Sequence, residues 1–383
     1  MRSRRAGFAV VMGGYLATTT AEATLAPAFP LVARELDLGP GFAGVAFGVL
    51  AAAIAVGSLV GGVALARLGP RAGLGPGVTL VAAGCALTAL AGGTLGLLAG
   101  QVVLGLGSGL FFASGLRSAA VFAGYRRRGR AMGLFGVAFS VGLALGGALA
   151  ALGDVWGWRT SFVAAAGLAA LSAATLALVR VPAEENVSRE SRPSHRLREA
   201  FGVPVAVGGV AAASQYGTIG FLALYAVGHW GVSPATAALL LTAGRILSVP
   251  AKLVSGNASD SGGALPTARR LALALAVLGA CWTLLPGPAL TVWAALLFIA
   301  CVSALGPLAN VLALERLESR AELLGAFRAA QIGLASLTAI LLGAGAELVG
   351  LRTTVVVAAV AIPSSLLLLG RRERRAQSRP ALS

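Results

Sequence analysis

Charge is what this chain has least of. Only 11% of its 383 residues are Asp, Glu, Lys or Arg, against roughly 25% in an ordinary soluble domain. Such a chain cannot cover a water-facing surface. Acids number 14 against 30 bases, and lysine is nearly absent: Lys252 stands alone among arginines. The two histidines, His195 and His229, fall outside the long apolar runs. There is no HExxH, no nucleophile elbow, no P-loop and no embedded carboxylate pair. An enzyme centre and ATP-driven pumping by this chain are therefore not expected, and no catalytic, metal or cofactor-binding residue is assigned. Cys85, Cys281 and Cys301 lie inside apolar runs without CxxC or a nearby histidine. They read as core thiols, not as a disulfide framework or metal site.

What the chain has is apolar length. Hydrophobic residues make up 57%, and 53 glycines accompany them, as in membrane helices whose backbones approach closely. A spanning helix needs about 20 mostly apolar residues. Twelve such runs are present: 7–29, 41–66, 74–94, 97–120, 131–152, 160–180, 203–228, 234–257, 267–285, 289–312, 324–346 and 351–370. An N-terminal signal peptide is disfavoured, since the first run outlasts an h-region of about 7–15 residues. The fold class expected is all-α: twelve transmembrane helices in two six-helix pseudo-symmetric halves. Residues 1–180 form the first bundle, 181–199 a linker, and 200–383 the second bundle with a basic tail.

The net charge of +16 does not point to nucleic acid, because the arginines fall on one side. Arg2, Arg4 and Arg5 share that side with Arg67, Arg71, Arg126, Arg127, Arg128, Arg130, Arg269, Arg270, Arg316 and Arg320, and with the tail from Arg371 to Arg379. Only Arg34, Arg159 and Arg352 lie opposite. The positive-inside rule places both termini and the linker in the cytoplasm.

The chain also repeats itself. Gly157-Trp158-Arg159-Thr160 matches Gly350-Leu351-Arg352-Thr353, and Pro40, Gly62 and Gly69 find partners in Pro234, Gly256 and Gly263. Two tandem membrane units at one near-constant offset can hold a site at the bilayer midplane and open it to either side.

Three motifs carry a family resemblance. Gly62 to Arg71 (Gly62, Arg67, Gly69, Arg71) and Gly256 to Gly263 (Gly256, Asp260) each keep part of G-x-x-x-D-R-x-G. In this loop the chain resembles the major facilitator superfamily. The first copy has Ala66 in place of the aspartate, and the second Ser261 in place of the arginine. The resemblance implies a cytoplasmic latch on the outward-open state, weakened here by one missing charge in each copy. Gln101 with Gly105, Gly107 and Gly109 resembles the fourth-helix R-x-x-x-G-x-G-x-G, with glutamine replacing the arginine linked to proton coupling. Gly142, Gly146 and Gly147 resemble the fifth-helix antiporter motif G-P-x-x-G-G, with Leu143 in place of the proline. The glycine run 105–109 has no preceding strand and reads as helix packing, not a nucleotide loop.

Ionisable groups at membrane depth are costly and point to function. Glu22, beside Thr18, is the acid set deep within a span, and the repeat maps it onto the Gln215–Tyr216 stretch of span seven. The resemblance implies that both first helices line a central cavity. The alternative is a glutamate near the outer interface that reaches water. Arg245, midway along span eight, is expected either to bind an anionic group or to pair with Glu22. Arg117 aligns with Asn310, and Arg328 and Gln331 lie a turn or two into span eleven. These are expected at an inner vestibule or reaching headgroups. Lys252 reads as an interfacial anchor.

The expected function is secondary transport of a small organic or drug-like solute by alternating access, with protons as the possible coupling ion. Export is slightly favoured on the fifth-helix motif. The alternatives are uptake of a small organic anion and a non-transporting sensor on the same fold. The chain is expected to be a monomer in the inner membrane, in contact with lipid and not with nucleic acid.

Overall fold

A computed structural model describes residues 2–123, 128–178, 197–285, 288–317 and 321–377. Residues 181–196 of the linker, Arg126, Arg127, Arg320 and Arg379 lie outside these, as do the side chains of Arg2, Arg4, Arg128, Arg130, Asp260, Arg316 and Arg371.

The described residues form α1 (Arg2–Leu36), α2 (Pro40–Leu68), α3 (Arg71–Ala89), α4 (Thr94–Ala123), α5 (Arg128–Trp156), α6 (Trp158–Ala177), α7 (Leu197–Ala213), α8 (Ile219–Trp230), α9 (Pro234–Gly262), α10 (Ala264–Leu284), α11 (Pro288–Leu317), α12 (Ala321–Leu348) and α13 (Leu351–Gln377). A π turn, Ser214–Thr218, joins α7 to α8 as one rod, so twelve rods result. Eleven are long and apolar enough to cross a bilayer. The twelfth, α1, is 35 residues long and is diluted by Thr18, Thr19, Thr20 and Glu22. Helices suit this sequence because lipid offers no partner to a backbone N–H or C=O, and a helix satisfies them internally. The same need carries α1 through Pro27 and Pro30, seven residues beyond the end expected from sequence.

The repeat is visible in the backbone. Asp37, Gly69, Gly157, Gly231, Gly263 and Gly350 are the described residues with positive φ. They form three pairs, Asp37 with Gly231, Gly69 with Gly263 and Gly157 with Gly350, each 193 or 194 positions apart. Gly69 and Gly263, at φ 80° and 82°, end α2 and α9 in a conformation that a side chain resists. The two copies therefore turn at the same places.

The most extensive contacts between the copies run along two seams, α2 against α12 and α5 against α9, which the repeat makes equivalent to each other. Close backbone approach holds the first. A Cβ on Gly44 would lie 2.6 Å from Cα of Gly343, and one on Gly325 would lie 3.2 Å from Cα of Gly62. Ser336 Oγ donates to the Gly48 carbonyl at 2.7 Å. On the second seam Ser140 and Ser248 share a hydrogen bond of 2.8 Å, and Thr242 Oγ1 donates to the Ala144 carbonyl at 3.3 Å. Lipid gives helices no hydrophobic reason to associate, so small residues and hydroxyls do this work. Away from the seams, Val56, Val60 and Val63 of α2 and Leu171, Leu273 and Leu341 are exposed, as a lipid-facing surface requires.

Candidate functional site

The polar stretch of α1 settles most of its own hydrogen bonds. Thr18 Oγ1 donates to the Tyr15 carbonyl, Thr20 Oγ1 to Leu16 and Thr24 Oγ1 to Thr20, each at 2.8 Å. Thr18 is thus buried and satisfied within its helix. Glu22, 8% exposed, turns away to other helices. Its Oε1 accepts from Ser108 Oγ of α4, and its Oε2 accepts from Tyr216 Oη of the π turn at 3.0 Å.

Glu22 and Tyr216 are 194 positions apart, so each is the repeat mate of the other. A residue can touch its own mate only near the axis that relates the two copies. The bond therefore marks the pseudo-two-fold axis, at the depth where α1 and the π turn face each other.

The neighbouring Gln215 faces the opposite way. Its Oε1 accepts from Nη1 of Arg245 at 2.5 Å, and the same Nη1 donates to Ser303 Oγ at 3.1 Å. Arg245 is 5% exposed, and its Nη2 and Nε have no hydrogen-bond partner among the described residues. The direct Glu22–Arg245 ion pair held open by sequence is not formed. Two adjacent residues of the π turn stand between them, one bonded to each. π turns inserted in helices recur at functional sites because they re-aim side chains.

A cavity lies here between the halves. Glu22, Gln215, Tyr216 and Arg245 give it polar walls, while Phe47, Leu50, Phe139, Leu143 and Leu241 give it apolar ones. Thr18 is not part of its lining.

Towards the termini, α1 and its neighbours close over the cavity with rings. Tyr15 stacks on Phe135 at 3.7 Å between centroids, with Phe112 and Phe139 at 6.2 and 6.1 Å. Two cations of the second copy rest on this cluster. Arg328 lies 4.7 Å from the centre of Phe112, and Lys252 Nζ lies 5.1 Å from that of Phe139. Lys252 also donates to Ser140 Oγ at 2.5 Å and to the Gly136 carbonyl at 3.2 Å. The expectation of a headgroup anchor at Lys252 is overturned: the side chain crosses the α5–α9 seam, because its face of α9 turns inward there.

The other sequence candidates disperse. Gln331 is buried against Gly208, Arg117 is half-buried and Asn310 is exposed. Gln101 is fully buried in the α3–α4 contact, donating to Thr88 Oγ1 at 3.0 Å, away from the cavity. The motif glycines make close contacts. Gly105 meets α2, with a built Cβ 2.7 Å from the Leu50 carbonyl. Gly142 and Gly146 meet α1, and Gly147 crosses to Thr242 and Ala238 of α9. Gly62 packs at Gly325, Gly256 is half-buried, and Arg67 and Arg71 are exposed. Sequence reasoning missed Ser108, Ser140, Ser248 and Ser303. A serine in a membrane helix usually bonds its own carbonyls, so residue type alone gives no signal. Among the described residues no His, Cys, Asp and Glu cluster fit to hold a metal occurs.

Residues 11–339 match the sequence model of the Major Facilitator Superfamily. The chain belongs to the major facilitator superfamily: it is a multi-pass membrane protein of a family of small-solute transporters. Among solved structures it is similar to a bacterial homolog of the human lysosomal transporter Spinster, in an inward-facing and occupied conformation, with 15% identity, 97% of each chain covered and a TM-score of 0.78. It is also similar to XylE, the xylose transporter of E. coli, in a partially occluded inward-open conformation, with 18% identity, 97% of this chain and 99% of that one covered, and a TM-score of 0.74. The nucleoside transporter NupG aligns with 12% identity, 95% and 99% coverage and a TM-score of 0.74. At these identities the likeness is one of fold. No curated protein matches the chain.

Proposed function

We propose that this chain is a secondary active transporter that moves a small organic solute through the Glu22–Arg245 cavity by alternating access. The observation that carries this reading is the Glu22–Tyr216 bond on the pseudo-two-fold axis. A site on that axis is reached equally from both ends when the copies rock, which alternating access needs. Glu22 is the proton carrier, as the acid on the axis, and Gln101 is not. The halves are 1–180 and 200–383, joined by a cytoplasmic linker at 181–199. The protein is a monomer in the cytoplasmic membrane, with both termini inside, as the arginine asymmetry supports. The fifth-helix glycines Gly142, Gly146 and Gly147 favour export. A second reading, uptake of an organic anion, draws on the unpartnered donors of Arg245.

Proteoliposomes separate transport from sensing. Purified protein is reconstituted and exposed to a panel of radiolabelled carboxylates, amines and neutral sugars. A transporter accumulates at least one of them in the lumen. A protein that binds a solute and moves none is a sensor on this fold, and the proposal fails.

A further inference from the structure

We infer that the cavity takes a small organic anion with an apolar body, its anionic group held by Nη2 and Nε of Arg245. The inference rests on the transporter reading and adds the chemical class of the solute.

Charge balance is the first support. Arg245 lines the cavity, Lys252 lies over Phe139 of its wall, and Arg328 lies over Phe112 of the ring cluster beside it. Glu22 is the one carboxylate lining the cavity beside Arg245, and both its oxygens already accept from hydroxyls, so Arg245 has no counter-charge there. Packing symmetry did not require the cations. Their repeat mates are Ala51, Ser58 and Phe135, so all three belong to the second copy alone. A cation at membrane depth without a counter-charge is expensive and is kept where it meets a charge from elsewhere.

Geometry is the second. Gln215 and Ser303 hold Nη1 and bring no charge. They fix the guanidinium plane while leaving the side-on fork of Nη2 and Nε, which matches two oxygens of a carboxylate, sulfonate or phosphate. Gln215 is thus a positioning residue.

The walls are the third. Phe47, Leu50, Leu143 and Leu241 lie around the polar groups. An inorganic anion would leave these walls against water, whereas an apolar body covers them.

Thermal unfolding of the purified full chain, titrated with benzoate, benzylamine and benzyl alcohol, tests the class. The probes share a ring and differ in charge. Benzoate is expected to raise the Tm saturably, while the amine and the alcohol leave it unchanged. Arg245→Gln should weaken apparent benzoate binding roughly ten- to hundredfold, and Arg245→Lys less. The inference is overturned if benzylamine or benzyl alcohol matches benzoate, if benzoate gives no shift, or if Arg245→Gln binds benzoate as the natural protein does. The charge comparison needs no variant, so misfolding of Arg245→Gln does not spoil it. Accumulation of an amine in proteoliposomes would remove the anion class and keep the transporter. Benzoate binding without flux of any solute would do the reverse.

Discussion

Glu22 and Tyr216 hold the same place in the two copies of the repeat and are bonded to each other, Oη donating to Oε2 at 3.0 Å. A second acid in place of the phenol would set two carboxylates face to face on the axis. A phenol avoids that, and it serves both protonation states: its hydroxyl donates to a carboxylate and can accept from a carboxylic acid. The pair therefore keeps the halves in register whether or not Glu22 carries a proton.

This pairing predicts coupling between the two side chains. Tyr216→Phe and Glu22→Ala each remove the bond, and the double variant loses it only once. A double-mutant cycle on stability should give an interaction of about 1–2 kcal/mol. Additivity within about 0.5 kcal/mol would show that the bond contributes nothing.

The α5–α9 seam predicts a cross-link. Ser140 Oγ and Ser248 Oγ lie 2.8 Å apart, close enough for a disulfide after small adjustment. With Cys281 and Cys301 replaced by alanine, Ser140→Cys combined with Ser248→Cys should oxidise to one bridge and stop flux until reduced. Full flux in the oxidised protein would mean that this seam does not open during transport.

The α2–α12 seam predicts intolerance of a side chain. A Cβ on Gly44 would come 2.5 Å from the Ala339 carbonyl oxygen, and backbone cannot yield there as a flexible side chain can. Gly44→Val should cost the seam about 1–3 kcal/mol and shift the protein towards opening at the end proposed to be outer. Faster labelling of Gln215→Cys by an impermeant thiol reagent from that side is the expected reading. Unchanged labelling would show that the seam is already open there.

Glu35, beyond the C-terminal end of the first span, predicts an acid limb. The Arg159 guanidinium, with Trp158 Nε1 donating at 2.7 Å, holds its carboxyl below the usual carboxylate range. Its folded value lies below its unfolded one, so its contribution is complete above the unfolded value and fades as pH falls through the folded one. The pair is exposed, so the effect is small. Glu35→Gln should lower the Tm slightly at neutral pH and flatten its fall in acid. An unchanged acid limb would count against it.

Much of this was legible in the sequence, because membrane constraints are written in composition. Apolar length gave the spans, and arginine placement their proposed sense. Four of the six positive-φ residues, Gly69, Gly157, Gly263 and Gly350, were already paired by the repeat. The pairing of Asp37 with Gly231 was hidden by the change of residue type. Side-chain direction was the harder part. Lys252 looked like a headgroup anchor from its depth, yet its helix face turns to α5. Glu22 and Arg245 suggested each other as opposite charges, but a π turn, which shifts the register of a helix by one residue without marking the sequence, set Gln215 and Tyr216 between them.

The central claim is that a proton on Glu22 drives the solute through the axial cavity. It is tested most directly in proteoliposomes under an imposed pH gradient, comparing the natural protein with Glu22→Gln for whichever panel solute the natural protein accumulates. The account predicts that Glu22→Gln folds, still exchanges labelled for unlabelled solute, and loses gradient-driven accumulation. Undiminished proton-driven accumulation in Glu22→Gln would contradict it.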